Sequence, residues 1–263
     1  MARNSLKNVM RLIDEVVQEL PVEQSFLQDL QRSIELTDKK NSRKPSQTFK
    51  PSGMNCIRQS YYQIKGIDPD VAETGNCLVG ICESGTDRHE RLQRAVASMK
   101  DNDMNCEYVD VKEFVTQRNL TDLDIVSQQG METKLYNKKY NISFLCDGII
   151  LYKNKYYILE IKTESSYKWM ARTGVDPTHY NQATAYSLSF GIDDVIFIYE
   201  NRDTCTKKSF LFTVTGDMKQ SLIGYMENCN EYIKNSTVPP KSESTPRKTC
   251  EYCNYKTQCR KDN

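Results

Sequence analysis

Asp147, Glu160 and Lys162 bring two carboxylates and an ammonium into one short stretch, and the residues between them read as a β-hairpin. Apolar and aromatic β-formers fill Ile149–Tyr152 and Tyr156–Ile161, with a polar break at Lys153-Asn154-Lys155. A two-residue turn at Lys153-Asn154 pairs residues whose numbers sum to 307, which sets Asp147 opposite Glu160 with Cβ atoms about 4.5–5.5 Å apart. Glu160 and Lys162, two apart, then share that face while Ile161 points the other way. A turn at Asn154-Lys155 sets Asp147 opposite Lys162 on the same face; a three-residue turn breaks the arrangement. Such a patch suits Mg²⁺, which takes one or two carboxylates with water and phosphate. The lysine can hold a water or offset charge on a phosphate oxygen. An exposed strand face carrying an ion pair is the plainer alternative.

Other groups narrow the chemistry. The chain has only two histidines, His89 and His179, which excludes multi-histidine zinc catalysis and leaves a Ser-His-Asp triad two candidate bases. Three thiols near the end, Cys250, Cys253 and Cys259, have two and then five residues between them. That spacing suits a soft metal centre, either tetrahedral zinc or an iron–sulfur cube, completed by a fourth ligand from elsewhere. Cys56, taken alone, reads as a small buried hydrophobe.

Asp147 with Glu160-Ile161-Lys162 resembles the signature of the PD-(D/E)xK nuclease superfamily. The resemblance implies an α/β fold with a restriction-endonuclease-like mixed β-sheet core flanked by helices. It also implies Mg²⁺ or Mn²⁺ held by Asp147, Glu160 and the Ile161 carbonyl, with Lys162 serving the hydrolytic water. Gly148 departs slightly from the usual apolar residue after the Asp. Gly85-Thr-Asp-Arg-His89-Glu90 matches the RecB-like branch, which makes His89 a further metal ligand. Gln182 and Tyr186, four apart on one helix face, match residues that in that branch sit beside the metals and contact DNA. Cys56-x-Arg58-x-x-Tyr61 before the core and Cys250-x-x-Cys253-x(5)-Cys259 after it resemble the iron–sulfur exonucleases of the CRISPR-adaptation and AddB type. By that resemblance Cys56, Cys250, Cys253 and Cys259 hold a [4Fe–4S] cluster, zinc being the alternative that thiol chemistry leaves open.

These groups need a scaffold. Val9, Leu12, Ile13, Val16, Val17 and Leu20 fall at helical spacing before Pro21, and Phe26, Leu27, Leu30 and Ile34 continue after it. The pattern predicts a helical hairpin over 5–37, a packed appendage or a surface for self-association or a protein partner. Residues 38–55 read as a basic linker, 56–240 as the nuclease core and 241–263 as a Cys-rich tail paired with Cys56. A helix is expected over Thr86–Val96, with His89 in its first turns. Strands are expected at Met131–Tyr136, where the side-chain direction of Glu132 is not fixed, and at Asn141–Cys146, Asp194–Glu200 and Ser209–Thr215. Further helices are expected near 165–172, from Pro177, and over Asp217–Lys234. Residues 107–129 show no clean period.

Net charge is only +1, but it is unevenly spread. Lys39–Lys65 carries seven basic residues and no acid, and Lys241–Lys261 six basic and two acidic, leaving 23 basic against 33 acidic elsewhere. With Tyr61, Tyr62, Tyr252 and Tyr255 in the same segments, phosphate contacts and base stacking suggest a path for single-stranded DNA. Ten cysteines without a signal-like start point to a reducing cytoplasm, the host's if the chain is viral. No apolar run approaches the roughly 18 residues a membrane span needs. The expectation is a Mg²⁺- or Mn²⁺-dependent DNA exonuclease acting on single strands or duplex ends in recombination, repair or CRISPR adaptation. An endonuclease trimming flaps or captured DNA, and a non-catalytic DNA-binding or partner-recruiting protein on a nuclease scaffold, are the competing readings.

Overall fold

Lys153 and Asn154 both adopt positive φ, 49° and 63°, the type I′ geometry whose twist matches that of the flanking strands. The hairpin they close joins β5 (Gly148–Tyr152) to β6 (Lys155–Glu164), paired from Gly148 with Leu159 to Tyr152 with Lys155. This is the register whose residue numbers sum to 307. The computed structural model describes residues 21–40, 45–70, 76–242, 245 and 247–262.

β6 lies at the centre of a five-stranded sheet completed by β1 (Cys106–Val109), β7 (Asp194–Asn201) and β8 (Lys207–Thr213), in the order β1-β5-β6-β7-β8. β6 and β7 run parallel and the other neighbours antiparallel. Ile158, Leu159, Glu160 and Ile161 are all buried, as expected of a central strand covered on both faces. On one face Ile149, Ile158 and Phe197 join a core with Ala183 and Tyr186 of α6 (Tyr180–Phe190) and Leu222 and Met226 of α7 (Gly216–Lys234). On the other, Ile150, Leu159 and Ile161 pack with Leu92 and Val96 of α3 (Asn76–Ala97). The protein is therefore a mixed α/β fold with helices on both faces of its main sheet.

A second, antiparallel sheet holds β2 (Leu123–Gln129), β3 (Glu132–Asn137) and β4 (Ile142–Cys146). Between β4 and β5 stands a single residue, Asp147, so the chain crosses from one sheet to the other at the candidate carboxylate.

By contacts the chain divides into Met1–Arg43 with Glu73–Ile81, and Lys44–Ala72 with Cys82–Asn263. In the first unit, α1 (Val22–Lys40) forms the second half of the expected hairpin and runs past its expected end. The first half lies outside the described residues. In the second unit, the segment expected as linker is partly core. Phe49 is 1% exposed and Met54 fully buried, and the Phe49 N–H and C=O bond Asn141 O and Ser143 N. A lone Phe among Lys, Ser and Pro carried too little periodicity to reveal this.

Residues 107–129, which showed no period, form β1, α4 (Val111–Gln117) and β2. α4 is capped by Asp110, which accepts from the Glu113 N–H at 2.8 Å. α3 begins ten residues before the expected Thr86, placing His89 well inside the helix rather than in its first turns. Gly80 and Gly85 read as breaks but cost a helix only about 1 kcal/mol each, and α3 is anchored further along. Arg91 Nη2 bridges both oxygens of the fully buried Glu200 at 2.6 and 2.7 Å, and Arg88 reaches the same carboxylate at 3.3 Å. Among the described residues no helix is long and apolar enough to cross a membrane.

Candidate active site and cysteine cluster

Asp147 turns its two carboxylate oxygens in different directions. Oδ1 lies 3.2 Å from His89 Nδ1, and Oδ2 accepts the Ile161 N–H at 2.7 Å. At the crossing between sheets its carbonyl has no strand partner, and two side chains supply the missing donors: Gln93 Nε2 at 2.7 Å and the Tyr108 hydroxyl at 2.5 Å. Gln93 follows His89 by one helical turn, so one face of α3 grips both the carboxylate and the backbone of Asp147.

The small residue at Gly148 has a physical cause. A Cβ there would lie 2.7–2.8 Å from the Tyr108 ring and hydroxyl. Gly148→Ala should therefore cost about 1–3 kcal/mol of stability in urea unfolding, and less than that when it is made in a Tyr108→Ala background. A Gly148→Ala protein as stable as the parent would contradict this packing.

Glu160, 2% exposed, takes Lys162 Nζ at 2.6 Å and Gln182 Nε2 at 2.7 Å. Gln182 also receives Lys162 Nζ on its oxygen at 2.9 Å and meets the Tyr186 hydroxyl at 2.7 Å. Tyr186 is 3% exposed and donates to the Leu145 carbonyl at 3.0 Å. Its hydroxyl is thus committed inside the protein, and the DNA contact implied for it gives way to a part in holding Gln182. Burial raises the Glu160 pKa, and Lys162 only partly offsets it. For His89, burial favours the neutral ring, but hydrogen bonds to Asp147 and Glu132 outweigh it and raise the pKa to about 10.

Glu132 is the neighbour whose side-chain direction the sequence left open. β3 and β4 pair Thr133 with Cys146, so one step further along the same register Glu132 falls beside Asp147. Its Oε1 is 3.7 Å from His89 Nδ1. His89, Glu132 and Asp147 bring one ligand atom each within 4.8 Å of one another, and among the described residues no other group of three such side chains does so. The four-residue loop between Asn137 and Ile142 sets this register, and no turn signature in the sequence announced it.

His179 is drawn toward the same region. Its Nδ1 lies 2.9 Å from the Tyr199 hydroxyl, and burial together with Lys162 lowers its pKa to about 3. Between pH 6.5 and about 3 the unfolded chain binds a proton there that the folded chain refuses. Stability from His179 is thus fully present above pH 6.5 and lost as pH falls through that window. Asp176, lowered to about 2 as the Thr178 and Arg172 hydrogen bonds overcome burial, adds stability present above 3.8 and lost toward 2. His89 acts oppositely in metal-free protein: its contribution is full below pH 6.5 and lost as pH rises through about 10. Metal-free stability should therefore peak near neutrality. Urea unfolding should show wild type losing up to about 2 kcal/mol more than His179→Gln between pH 7 and 5. Parallel pH profiles would contradict this.

Cys56, Cys250, Cys253 and Cys259, none in a disulfide, line one cavity of about 390 Å³. Burial raises the Cys253 pKa, and the charges of the other three thiols add to it. A zinc with Zn–S bonds of about 2.3 Å would draw its sulfurs to about 3.8 Å. Four thiols lining one cavity are a donor set that either tetrahedral zinc or an iron–sulfur centre would use.

The aromatic DNA path needs correction. Tyr61, Tyr62 and Tyr255 are 4, 1 and 5% exposed, leaving only Tyr252, at 81%, open to stack on a base. Arg58, also counted in the basic stretch, is buried and donates to the Pro239 and Cys259 carbonyls. Aromatic residues near a tail looked like surface; here they form the core that secures it.

Fold and site together define a mixed α/β protein with a histidine–carboxylate cradle where two sheets meet. No protein-family profile matches the chain, and no curated protein is a detectable relative in sequence. The solved structure described as "Crystal structure of SSO0001" is similar over 91% of this chain and 98% of its own, at 16% identity and a TM-score of 0.47. At that level the likeness bears on neither fold nor chemistry.

Proposed function

We propose that the protein is a divalent-cation-dependent nuclease that hydrolyses DNA at ends or in single strands. The observation that carries this reading is the adjacency of two pairs on the hairpin: Asp147 holds His89 and the Ile161 N–H, and Glu160, the residue before Ile161, holds Lys162, with Gln182 joining the last two. His89, Asp147, Glu160 and the Ile161 carbonyl would hold Mg²⁺ or Mn²⁺, which when bound lowers the pKa of a coordinated water and offsets charge on the scissile phosphate. Lys162, 21% exposed along its side chain, is the group placed to hold that water on the open side. Gln182 fixes the Lys162 amine, and Tyr186 fixes Gln182. Cys56, Cys250, Cys253 and Cys259 would hold an iron–sulfur cluster joining the segment before the core to the tail.

The test is incubation with linear single-stranded, linear duplex and covalently closed circular DNA in Mn²⁺, with chelator controls. Loss of linear substrates while circles persist is expected. Nicking of circles would shift the reading to an endonuclease, and DNA retention without turnover would overturn catalysis.

A further inference from the structure

We infer that Glu132 is a direct ligand of the cation, so that the site is assembled from both sheets rather than from the hairpin and α3 alone. This rests on the nuclease reading for the presence of the cation and adds a ligand that the Asp…Glu-x-Lys pattern does not contain.

Three features place the Glu132 carboxylate there. The β3–β4 register brings it alongside Asp147, and opposed residues on paired strands share a face. Tyr108 fastens the backbone on both sides of the cradle, its hydroxyl lying 3.2 Å from the Met131 carbonyl and 2.5 Å from that of Asp147. The tip of the β2–β3 hairpin is therefore tied to the residue that bridges the sheets. Finally, the Glu132 and Asp147 side chains are only 19% and 8% exposed and lie 3.7 and 3.2 Å from the same His89 Nδ1, so both carboxylates converge on a nitrogen that can itself ligate a cation. One imidazole nitrogen with carboxylate oxygens suits Mn²⁺, which accepts both donor types.

Asp147 is then the shared element. Its Oδ1 faces the His89–Glu132 side while Oδ2 faces the β6 backbone beside Glu160. Glu132 adds negative charge beside His89 and Asp147.

The experiment is Mn²⁺ titration of the full chain, followed calorimetrically and by the spin resonance of free Mn²⁺, without DNA. Glu132→Gln keeps an oxygen able to accept from His89, so a residue that only orients the ring would leave affinity nearly unchanged. As a ligand, Glu132 should weaken Mn²⁺ binding about tenfold or more on this change. Glu90→Gln, which removes an exposed carboxylate next to His89 on α3, serves as the charge control and should bind as wild type does. Metal-free thermal unfolding of each variant checks that the fold is retained. Affinity in Glu132→Gln within tenfold of wild type, or an equal loss in Glu90→Gln, would overturn the assignment. Weakened binding in a protein that leaves DNA intact would sink only the nuclease reading. A DNA-degrading protein with unchanged Mn²⁺ affinity in Glu132→Gln would sink only the role of Glu132. Wild-type protein that takes up no Mn²⁺ would sink both.

Discussion

Lys162→Ala should lower cation-dependent DNA cleavage by about 10²–10⁴-fold, the range spanned by losing a positioned proton-transfer group or an electrostatic partner. Lys162 pairs with Glu160 at 2.6 Å and with Gln182 at 2.9 Å, so its amine is fixed before substrate arrives. Removing it leaves the buried Glu160 with Gln182 and no cation. Breaking a buried pair in this way costs on the order of 3–5 kcal/mol if the remaining carboxylate stays charged. Glu160 already has a raised pKa through burial, so it can take up a proton and much of that cost is avoided. Adding Glu160→Gln to Lys162→Ala should therefore restore stability without restoring cleavage. A Lys162→Ala protein that still degrades DNA at the wild-type rate would refute the assigned role.

Cys253→Ser should remove the brown colour of anaerobically purified protein and lower its stability. A centre joining Cys56 to Cys250 closes a loop of nearly the whole second unit. In the chain-entropy model so long a closure restrains the unfolded state by on the order of 5 kcal/mol. The loss should stay below that ceiling, because the tail has other ties: Tyr62 to Asp262 at 2.7 Å, Arg58 to the Cys259 carbonyl at 3.3 Å, and the Asp70 N–H to the Asn254 carbonyl at 2.6 Å. Cleavage should fall indirectly. Asn55 donates to the Thr178 carbonyl at 3.0 Å and Asn181 to that of Met54 at 2.7 Å, so the segment leading into Cys56 is fastened to the start of the helix that carries Gln182. Absorption spectra and chemical unfolding of both proteins, prepared without oxygen, check this. A colourless wild type as stable as Cys253→Ser would contradict the iron–sulfur assignment.

The central hairpin was legible because its signals agree. Two runs of β-formers flank a polar break, and Asn154 accepts positive φ readily, so the turn length and the pairing register followed from local chemistry. The segments at 194–200, 209–215 and 217–234 were likewise marked by alternation or helical period. What stayed hidden depends on contacts distant in sequence. The start of α3 at Asn76 survives two glycines because Arg91, Leu92 and Val96 anchor its far end. Phe49 joins the core through a bridge to Ile142, and no short window contains both residues. Tyr61, Tyr62 and Tyr255 read as a stacking surface because burial cannot be seen from composition. Glu132 was visible as a residue but not as a neighbour of Asp147, since that depends on the length of a loop without a turn signature.

Anomalous scattering from a crystal soaked in Mn²⁺ reads the central claim most directly. The predicted result is density bounded by His89, Asp147, Glu160 and the Ile161 carbonyl, with Glu132 reaching it from the second sheet and Lys162 released from Glu160. Saturating Mn²⁺ with no density there, and Glu160 still paired to Lys162, would mean that this cradle of carboxylates and imidazole serves structure and not hydrolysis.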